Sequence, residues 1–589
     1  MVPPCTAGGA RLTREDVLWI GLYLLGLVGF FAATWARWPL LTADAARELY
    51  VPFQVLHGAA IYRDFYYLYG PTAPWGMAGL LAAFGERLEV LYVASGVQLA
   101  AIGSLLYAVA RQLLSPRHAA AVLLLFTSHF ALGRDLHGYV WPYSFAATIA
   151  VGLGLTVLLA LLRHQASGRR RWLVLAGVAW GLSLVTKLEF GAAATGLVAW
   201  HLVLRGWPSR RWPSWPEVLA LAAPAALAAG AVACGVLARA EPAAVLESIW
   251  PTRLMALWSS GDRWRGTPAT WRANMAWLSM ALVVLLAIAR STRGSLQQQG
   301  AWRLPALLWG LVALGAWLVT VSPARLEHVL AVGHRTWMSP SFLLAACVAL
   351  VAWGELTRGR DAAGRHRAWA LIAGYSLLVA ARTLGHGLND YTPYQAPVAL
   401  ILWVALATRW LPRLLSAEGP SRLRGALLGA LLAGLVARHG LDVWRTYSGP
   451  HRWVEGPAGG VWNPVAIAEP FAATLAHLRR ELRPGERVVA GPMEASFYLM
   501  LGQDNPVKED QLFYGYLTTA AEERDFIARL GRAGVRFVVF STYREGSHPF
   551  GVAYMPNLAA WLRRDCGLVA TYGGPAYAIR IYETPFGRR

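Results

Sequence analysis

The sequence predicts a polytopic α-helical membrane protein that ends in a small extracytoplasmic α/β domain. Three observations lead there. Apolar runs near twenty residues recur along most of the chain, each long enough to cross a hydrocarbon core of about 30 Å as a helix. Arginine gathers in alternate inter-run segments, as cytoplasmic loops require. Beyond about Gly440 the long runs give way to shorter amphipathic and strand-like patterns. Composition agrees: 56% of the 589 residues are hydrophobic and only 15% are charged.

The candidate spans fall at 17–36, 88–110, 119–132, 143–162, 172–189, 190–204, 218–238, 274–289, 304–321, 338–354, 368–384, 396–410 and 424–438. Arg11 and Arg14 hold the N-terminus inside, and an odd number of spans, about thirteen, puts the C-terminus outside. Arginines at 163–171, 205–211, 358–367 and 409–424 then face the cytoplasm. The 172–204 region is read as two spans because merging them would invert the arginine bias. The net charge of +21 therefore fixes orientation and does not point to nucleic acid. The run at 74–84 is too short to span and reads as a juxtamembrane or re-entrant helix. Most of the 28 tryptophans lie near span ends, as an interfacial belt. The first apolar run has no small-residue cleavage site and reads as an anchor. Cys5, Cys234, Cys347 and Cys566 are scattered and form no disulfide or metal pattern.

These readings divide the chain into a membrane domain over 1–439, with a first outer loop at 37–87, and an extracytoplasmic domain over 440–589. In the latter, 466–482 and 519–530 pattern as helices, the second ended by Gly531. Residues 487–490, 535–540 and 576–582 pattern as strands. No catalytic motif stands out there, so it reads as a cap or an acceptor-docking module. Abundant arginine, alanine and glycine, with lysine only at Lys187 and Lys508, suggest a GC-rich bacterial genome and a bacterial inner membrane.

The first outer loop carries the densest chemistry. It reads T-A-D-A-A-R-E-L-Y from Thr42, and later Y-R-D-F-Y-Y-L-Y-G-P from Tyr62. Asp44 and Glu48, four apart, share a helical face, and Asp64 follows in the tyrosine-rich stretch. Two carboxylates brought together at a membrane rim could deprotonate a hydroxyl or hold a divalent cation. The same residues also read as a helix start with Asp44 near its cap, and as a surface pair between Arg63 and Asp64. Tyr66, Tyr67 and Tyr69 offer flat faces to a sugar or an isoprenoid, or anchor the loop at the interface.

T-K-L-E-F-G at 186–191 ends a span on the outer side. A lysine kept where arginine dominates suggests a compact ammonium for phosphate, and Lys187 with Glu189 equally reads as an interfacial pair. Further outer segments carry Arg134, His334 with Arg335, and Arg382 with Tyr394, and 253–272 forms another outer loop. Arginine binds phosphate at two points, so such a cluster suits a lipid phosphate. No P-loop, dinucleotide fingerprint, zincin motif or nucleophile elbow is present, which argues against an ATPase or a common hydrolase.

An early aspartate in the first outer loop, Y-R-D-F…Y-G-P, and T-K-x-E-F-G at a span end together resemble the bacterial GT-C glycosyltransferases. More narrowly they resemble the family 39-like group, which includes protein O-mannosyltransferases and the lipid A aminoarabinose transferase. The resemblance implies a GT-C-like membrane domain and inverting transfer from a polyprenyl-phosphate sugar to a glycan, lipid or protein hydroxyl. It implies Asp44 as base or acceptor-positioning carboxylate, with Asp64 at the place of a second acidic residue. Arg63, Arg134, Lys187, His334, Arg335 and Arg382 would hold the donor phosphate, and Tyr66, Tyr69, Glu189 and Tyr394 would line the substrate site. Many relatives carry an adjacent Asp-Glu pair; here Ala45 follows Asp44, which leaves metal use open. The competing reading is a transporter of lipid-linked sugars. It would need internal repeats and polar groups at mid-membrane, and the polar groups here gather at one face.

Overall fold

The computed structural model describes residues 12–134, 138–209, 212–250, 341–359, 364–386, 394, 397–410, 421–512, 515–543, 550–552 and 554–587. Helix α1 (Arg14–Thr34) opens on a reciprocal cap between Thr13 and Asp16. Asp16 is buried, and it also takes hydrogen bonds from Tyr107 (2.7 Å) and Arg111 (2.5 Å). Helices α2 (Ala43–Leu56) and α3 (Thr72–Phe84), in the segment predicted as the first outer loop, come next, then α4 (Leu88–Ala110). Helix α5 (Pro116–Phe126) continues into a wider turn at Thr127–Ala131, and α6 (Phe145–Ser167), α7 (Arg171–Leu184), α8 (Leu188–Ser209), α9 (Trp215–Leu237) and α10 (Pro242–Ile249) follow. Beyond residue 340 lie α11 (Ser341–Thr357), α12 (Arg365–His386), α13 (Pro397–Ala405) and α14 (Ser421–Ser448). The predicted runs at 274–289 and 304–321 and the loop at 253–272 lie outside the described residues.

Helices α1, α4, α6 and α9 are long and apolar enough to cross a membrane by length and composition. Small residues set how closely helices approach. A Cβ on Gly177 or Gly181 of α7 would sit 2.2 Å from a backbone oxygen of Leu221 or Ala225 on α9. The 172–204 region is two helices, α7 and α8, with a break at 185–187. The Thr186 carbonyl at that break accepts the Gly70 amide at 2.9 Å. A Cβ at position 70 would lie 1.8 Å from the Val185 oxygen, so the Y-G-P turn can dock there only with glycine. Two stretches singled out in the sequence are thus brought into contact. The run read as a juxtamembrane or re-entrant helix is α3, which starts at Thr72.

The C-terminal part begins with an antiparallel hairpin, β1 (His451–Gly456) and β2 (Gly459–Pro464), followed by helix α15 (Val465–Glu481). Next come β3 (Arg487–Gly491), α16 (Ser496–Leu501), α17 (Ala520–Arg532), β4 (Val535–Ser541), α18 (Pro556–Arg564), β5 (Gly567–Gly573) and β6 (Ala578–Glu583). The sheet order is β3-β4-β6-β5, with β3 parallel to β4 and the other pairs antiparallel. Helices 466–482 and 519–530 and all three strands expected from the sequence have counterparts here. The hairpin, α16, α18 and β5 are additions.

This part is fastened to the outer loop. The Asn463 side chain accepts the Leu41 amide (3.1 Å) and donates to the Pro39 carbonyl (3.0 Å), and the Trp462 amide donates to the Ala36 carbonyl (2.9 Å). Helix α2 is buried along most of its length because it lies between α3 on one side and α16 on the other.

Candidate active site

The first turn of α2 gathers Asp44, Arg47 and Glu48. It starts at Ala43, whose φ of 63° lies in the left-handed region, at a cost of roughly 1–2 kcal/mol for a residue with a Cβ. Contacts from the C-terminal part hold it there. The Ala43 amide donates to the Met493 carbonyl (2.9 Å), its carbonyl accepts from Gln511 (3.4 Å), and the Thr42 hydroxyl donates to Glu494 (2.9 Å).

Arg47 is 3% exposed and lies between two carboxylates. Its Nη2 is 3.8 Å from Asp44 Oδ1 and 3.8 Å from Glu48 Oε1, and its Nη1 donates to Gln511 Oε1 at 3.2 Å. The guanidinium lies over the Tyr67 and Tyr69 rings, 5.6 and 5.3 Å from their centroids. Its Nε and Nη2 make no hydrogen bond among the described residues. Glu48 is fixed from the other side by the Phe145 amide at the start of α6 (2.8 Å).

Lys187, in the break between α7 and α8, is also buried. Its Nζ stands 3.8 Å from the Tyr69 centroid, 5.4 Å from that of Tyr143 and 3.1 Å from Glu189 Oε1. The Tyr69 ring therefore lies against both cations, one from α2 and one from the α7–α8 break.

The electrostatics differ along this cluster. Protein packs closely around Asp44 although 28% of its side chain reaches solvent. That burial raises its carboxyl above the ordinary value, against the pull of Arg47, Gln511 and Lys187. Burial likewise pushes Glu48 up to about 7, opposed by Arg47 and the Phe145 amide. Burial works against the charge on Arg47, but Tyr69, Asp44 and Glu48 overcome it and keep the guanidinium charged. Tyr69 is pushed up to about 12, again by burial. The arrangement offers one accessible carboxylate able to take a proton nearer neutrality and two buried cations beside it.

The other residues singled out in the sequence are distributed as follows. Asp64 closes its own turn, accepting the Ala60 amide (2.7 Å) and both Arg63 donors (2.9 and 2.8 Å). The carboxylates that share Arg47 are Asp44 and Glu48, and Asp64 is engaged elsewhere. Tyr66 is 38% exposed and packs edge-on to Tyr516. Arg134 donates to the Arg37 carbonyl and to His451 and lies over the Tyr447 ring, so it ties the end of α1 to the start of the C-terminal part. The Tyr394 hydroxyl donates to the Gly138 carbonyl (2.8 Å), and its ring meets Tyr143, the neighbour of Lys187. Arg382 is on α12, its side chain outside the described residues, and His334 and Arg335 are outside them altogether. No group of three or more His, Cys, Asp or Glu among the described residues is arranged to hold a metal ion. Between Asp44 and Glu48, the place a cation would take is filled by Arg47.

Residues that the sequence reading passed over are Arg47, Tyr143, Glu494 and Gln511. The signal for Gln511 was K-E-D-Q at 508–511, where the second lysine of the chain stands beside two carboxylates in a tail read as free of chemistry.

No protein-family model matches the chain, and no curated protein matches it. Among solved structures it is similar to ArnT from Cupriavidus metallidurans bound to undecaprenyl phosphate. The identity is 15% and the TM-score 0.44, over 97% of this chain and 98% of that one. It is also similar to the archaeal oligosaccharyltransferase AglB from Archaeoglobus fulgidus in complex with an inhibitory peptide and a dolichol-phosphate. There the identity is 11% and the TM-score 0.47, over 97% and 74% of the two chains. The apo form of the A. fulgidus oligosaccharyltransferase gives 12%, 0.48, 94% and 73%. At these identities the residue roles have to come from this chain's own geometry.

Proposed function

We propose that this chain is an integral membrane glycosyltransferase that moves a sugar from a polyprenyl-phosphate donor to an acceptor hydroxyl on the extracytoplasmic face. One observation carries the reading. Asp44, a partly exposed carboxylate with a raised pKa, stands with the buried cations Arg47 and Lys187 where α2 meets α3, α16 and, through Glu48, the start of the span-length helix α6.

The chemistry divides between them. The acceptor oxygen attacks the anomeric carbon and forms the new C–O bond. The bond from that carbon to the phosphate oxygen breaks, and the polyprenyl phosphate leaves with the electron pair. The acceptor proton passes to Asp44. Attack opposite the leaving group inverts the anomeric centre. Arg47 and Lys187 stabilise charge on the departing phosphate, and the two Arg47 nitrogens without hydrogen-bond partners among the described residues supply donors for its oxygens. Glu48 orients Arg47, and the Tyr69 ring holds both cations in place. Asp64 and Arg63 hold the turn that presents Tyr66 to Tyr69. Residues 1–439 form the membrane domain, and 440–589 an extracytoplasmic domain that completes the site through Gln511 and Glu494.

The test is sugar transfer in membranes carrying the full chain, given a panel of radiolabelled polyprenyl-phosphate sugars. Consumption of one donor by wild type, and its loss in a folded Asp44→Asn variant, is the expected result. Full activity of Asp44→Asn removes the base assignment, and no consumption of any donor removes the transferase reading.

A further inference from the structure

A cavity of about 420 Å³ lies where the first outer loop, α10 and the C-terminal part meet. It is separate from the Arg47 cluster yet shares a wall with it. Tyr67 lines the cavity and also lies beneath the Arg47 guanidinium. Leu68 and Tyr516 line it and also pack against the buried cluster of Ala43, the residue before Asp44, and Met493. Whatever occupies the cavity therefore lies against the wall that borders the first turn of α2.

The lining selects a ligand class. Tyr66, Tyr67 and Tyr516 provide rings at the wall formed by the outer loop and the 515–518 segment. Glu247 and Ser248 of α10, with Thr518 and the first turns of α17, provide oxygens. Most of the carboxylates are already engaged. Arg529 holds Glu509 through two bonds of 2.7 and 2.8 Å and reaches Asp525 at 3.0 Å. Glu522 accepts from the Thr519 amide and the Thr518 hydroxyl, both at 3.1 Å. Four carboxylates against one lining guanidinium disfavour an anion; Arg529 pairs with Glu509 and Asp525, Arg532 from behind pairs with Asp525, and Glu522 is held in the α17 cap, so the lining offers hydrogen-bond acceptors more than unpaired charge. Flat apolar faces combined with hydroxyl-accepting oxygens, in a pocket within the 300–1,000 Å³ range of small-ligand sites, match an uncharged saccharide.

We infer that this cavity is the acceptor subsite and that the acceptor is a neutral, hydroxyl-rich glycan. The inference rests on the transferase reading above and names its acceptor class. The test is calorimetric titration of the detergent-purified full chain with neutral, anionic and cationic oligosaccharides and a serine-containing peptide. Polyprenyl phosphate is titrated separately. Neutral saccharides are expected to bind. Tyr66→Ala should weaken them at least tenfold and Glu247→Gln severalfold, while Glu247→Gln leaves polyprenyl phosphate binding unchanged. The proposal is overturned if no neutral saccharide binds, if the peptide or charged glycans bind in their place, or if both variants retain wild-type affinity. Should polyprenyl phosphate fail to bind wild type, the donor reading falls, and the saccharide titration still decides the cavity.

Discussion

Asp44 and Asp64 belong to the same outer loop, twenty residues apart, and each has an arginine close by in the sequence. Their surroundings give them opposite chemistry. Asp64 is at the surface, where hydrogen bonds from Arg63 outweigh modest burial and hold its carboxyl below the usual range. Asp44 is packed between the helical body and the C-terminal part, where burial outweighs Arg47 and raises its carboxyl. A carboxylate held low is a poor proton acceptor, and one raised toward neutrality is a good one. The partner arginines differ in the same way. Arg63 is mostly exposed, whereas Arg47 is enclosed by Asp44, Glu48 and two tyrosine rings.

The sharpest way to break this contrast is substitution. Asp44→Asn should lower transfer by about 10²–10⁴-fold, the usual contribution of a positioned base, without shifting the thermal midpoint downward. Lys187→Met should come next, lowering transfer by about 10²–10³-fold, as loss of one preorganised charge does. Its effect should fall mainly on kcat, and a pure rise in donor KM would reassign Lys187 to ground-state binding. Asp64→Asn should be smallest, within about twofold, since exposed pairs contribute little. A loss there as large as that of Asp44→Asn would dissolve the distinction between the two sites.

Proton titration sharpens it further. Because Asp44 must be deprotonated to act, the acid limb of the transfer profile should lie above its ordinary value of 3.8. A limb at or below that value would count against burial as the dominant influence. Burial also pushes Glu48, Glu494 and Asp510 up to about 7. The folded protein binds protons at these groups more readily than the unfolded chain does. Their contribution to stability is therefore present below the ordinary carboxylate range and is lost as pH rises toward 7. The thermal midpoint of the purified chain should fall between pH 5 and 7.5. Glu494→Gln should flatten that fall, and an unchanged slope would show that Glu494 is not among the groups responsible.

Much of the helical layout was legible because span-length apolar runs and helix caps are local patterns. The split of the 172–204 region into two helices was readable from the arginine bias, although the structure puts the break at 185–187 and the sequence reading put it between 189 and 190. The Y-G-P turn and T-K-L-E-F-G each stood out as well, but nothing in either announces the other. Their contact depends on Gly70 fitting against the Val185 carbonyl, a fact of packing. Arg47 was harder to value because an arginine in a helix turn is ordinary on a solvated face, and only its burial between two carboxylates sets it apart.

By itself the sequence determined helices in most of the predicted runs that fall on described residues, four of them of span length, the alternation of helix and strand after residue 440, and the segment 37–87 as the place where carboxylates and tyrosines gather. The tertiary structure decided which of them act together. It brought Lys187 onto Tyr69 and set Gln511 and Glu494 on the first turn of α2, across separations of more than one hundred and four hundred residues. It also left Asp64 at the surface. The physical reason is that hydrophobic pattern and capping are written within a few residues. Desolvation, by contrast, is set by everything that surrounds a group, and here desolvation separates the raised carboxyl of Asp44 from the lowered one of Asp64 at the surface.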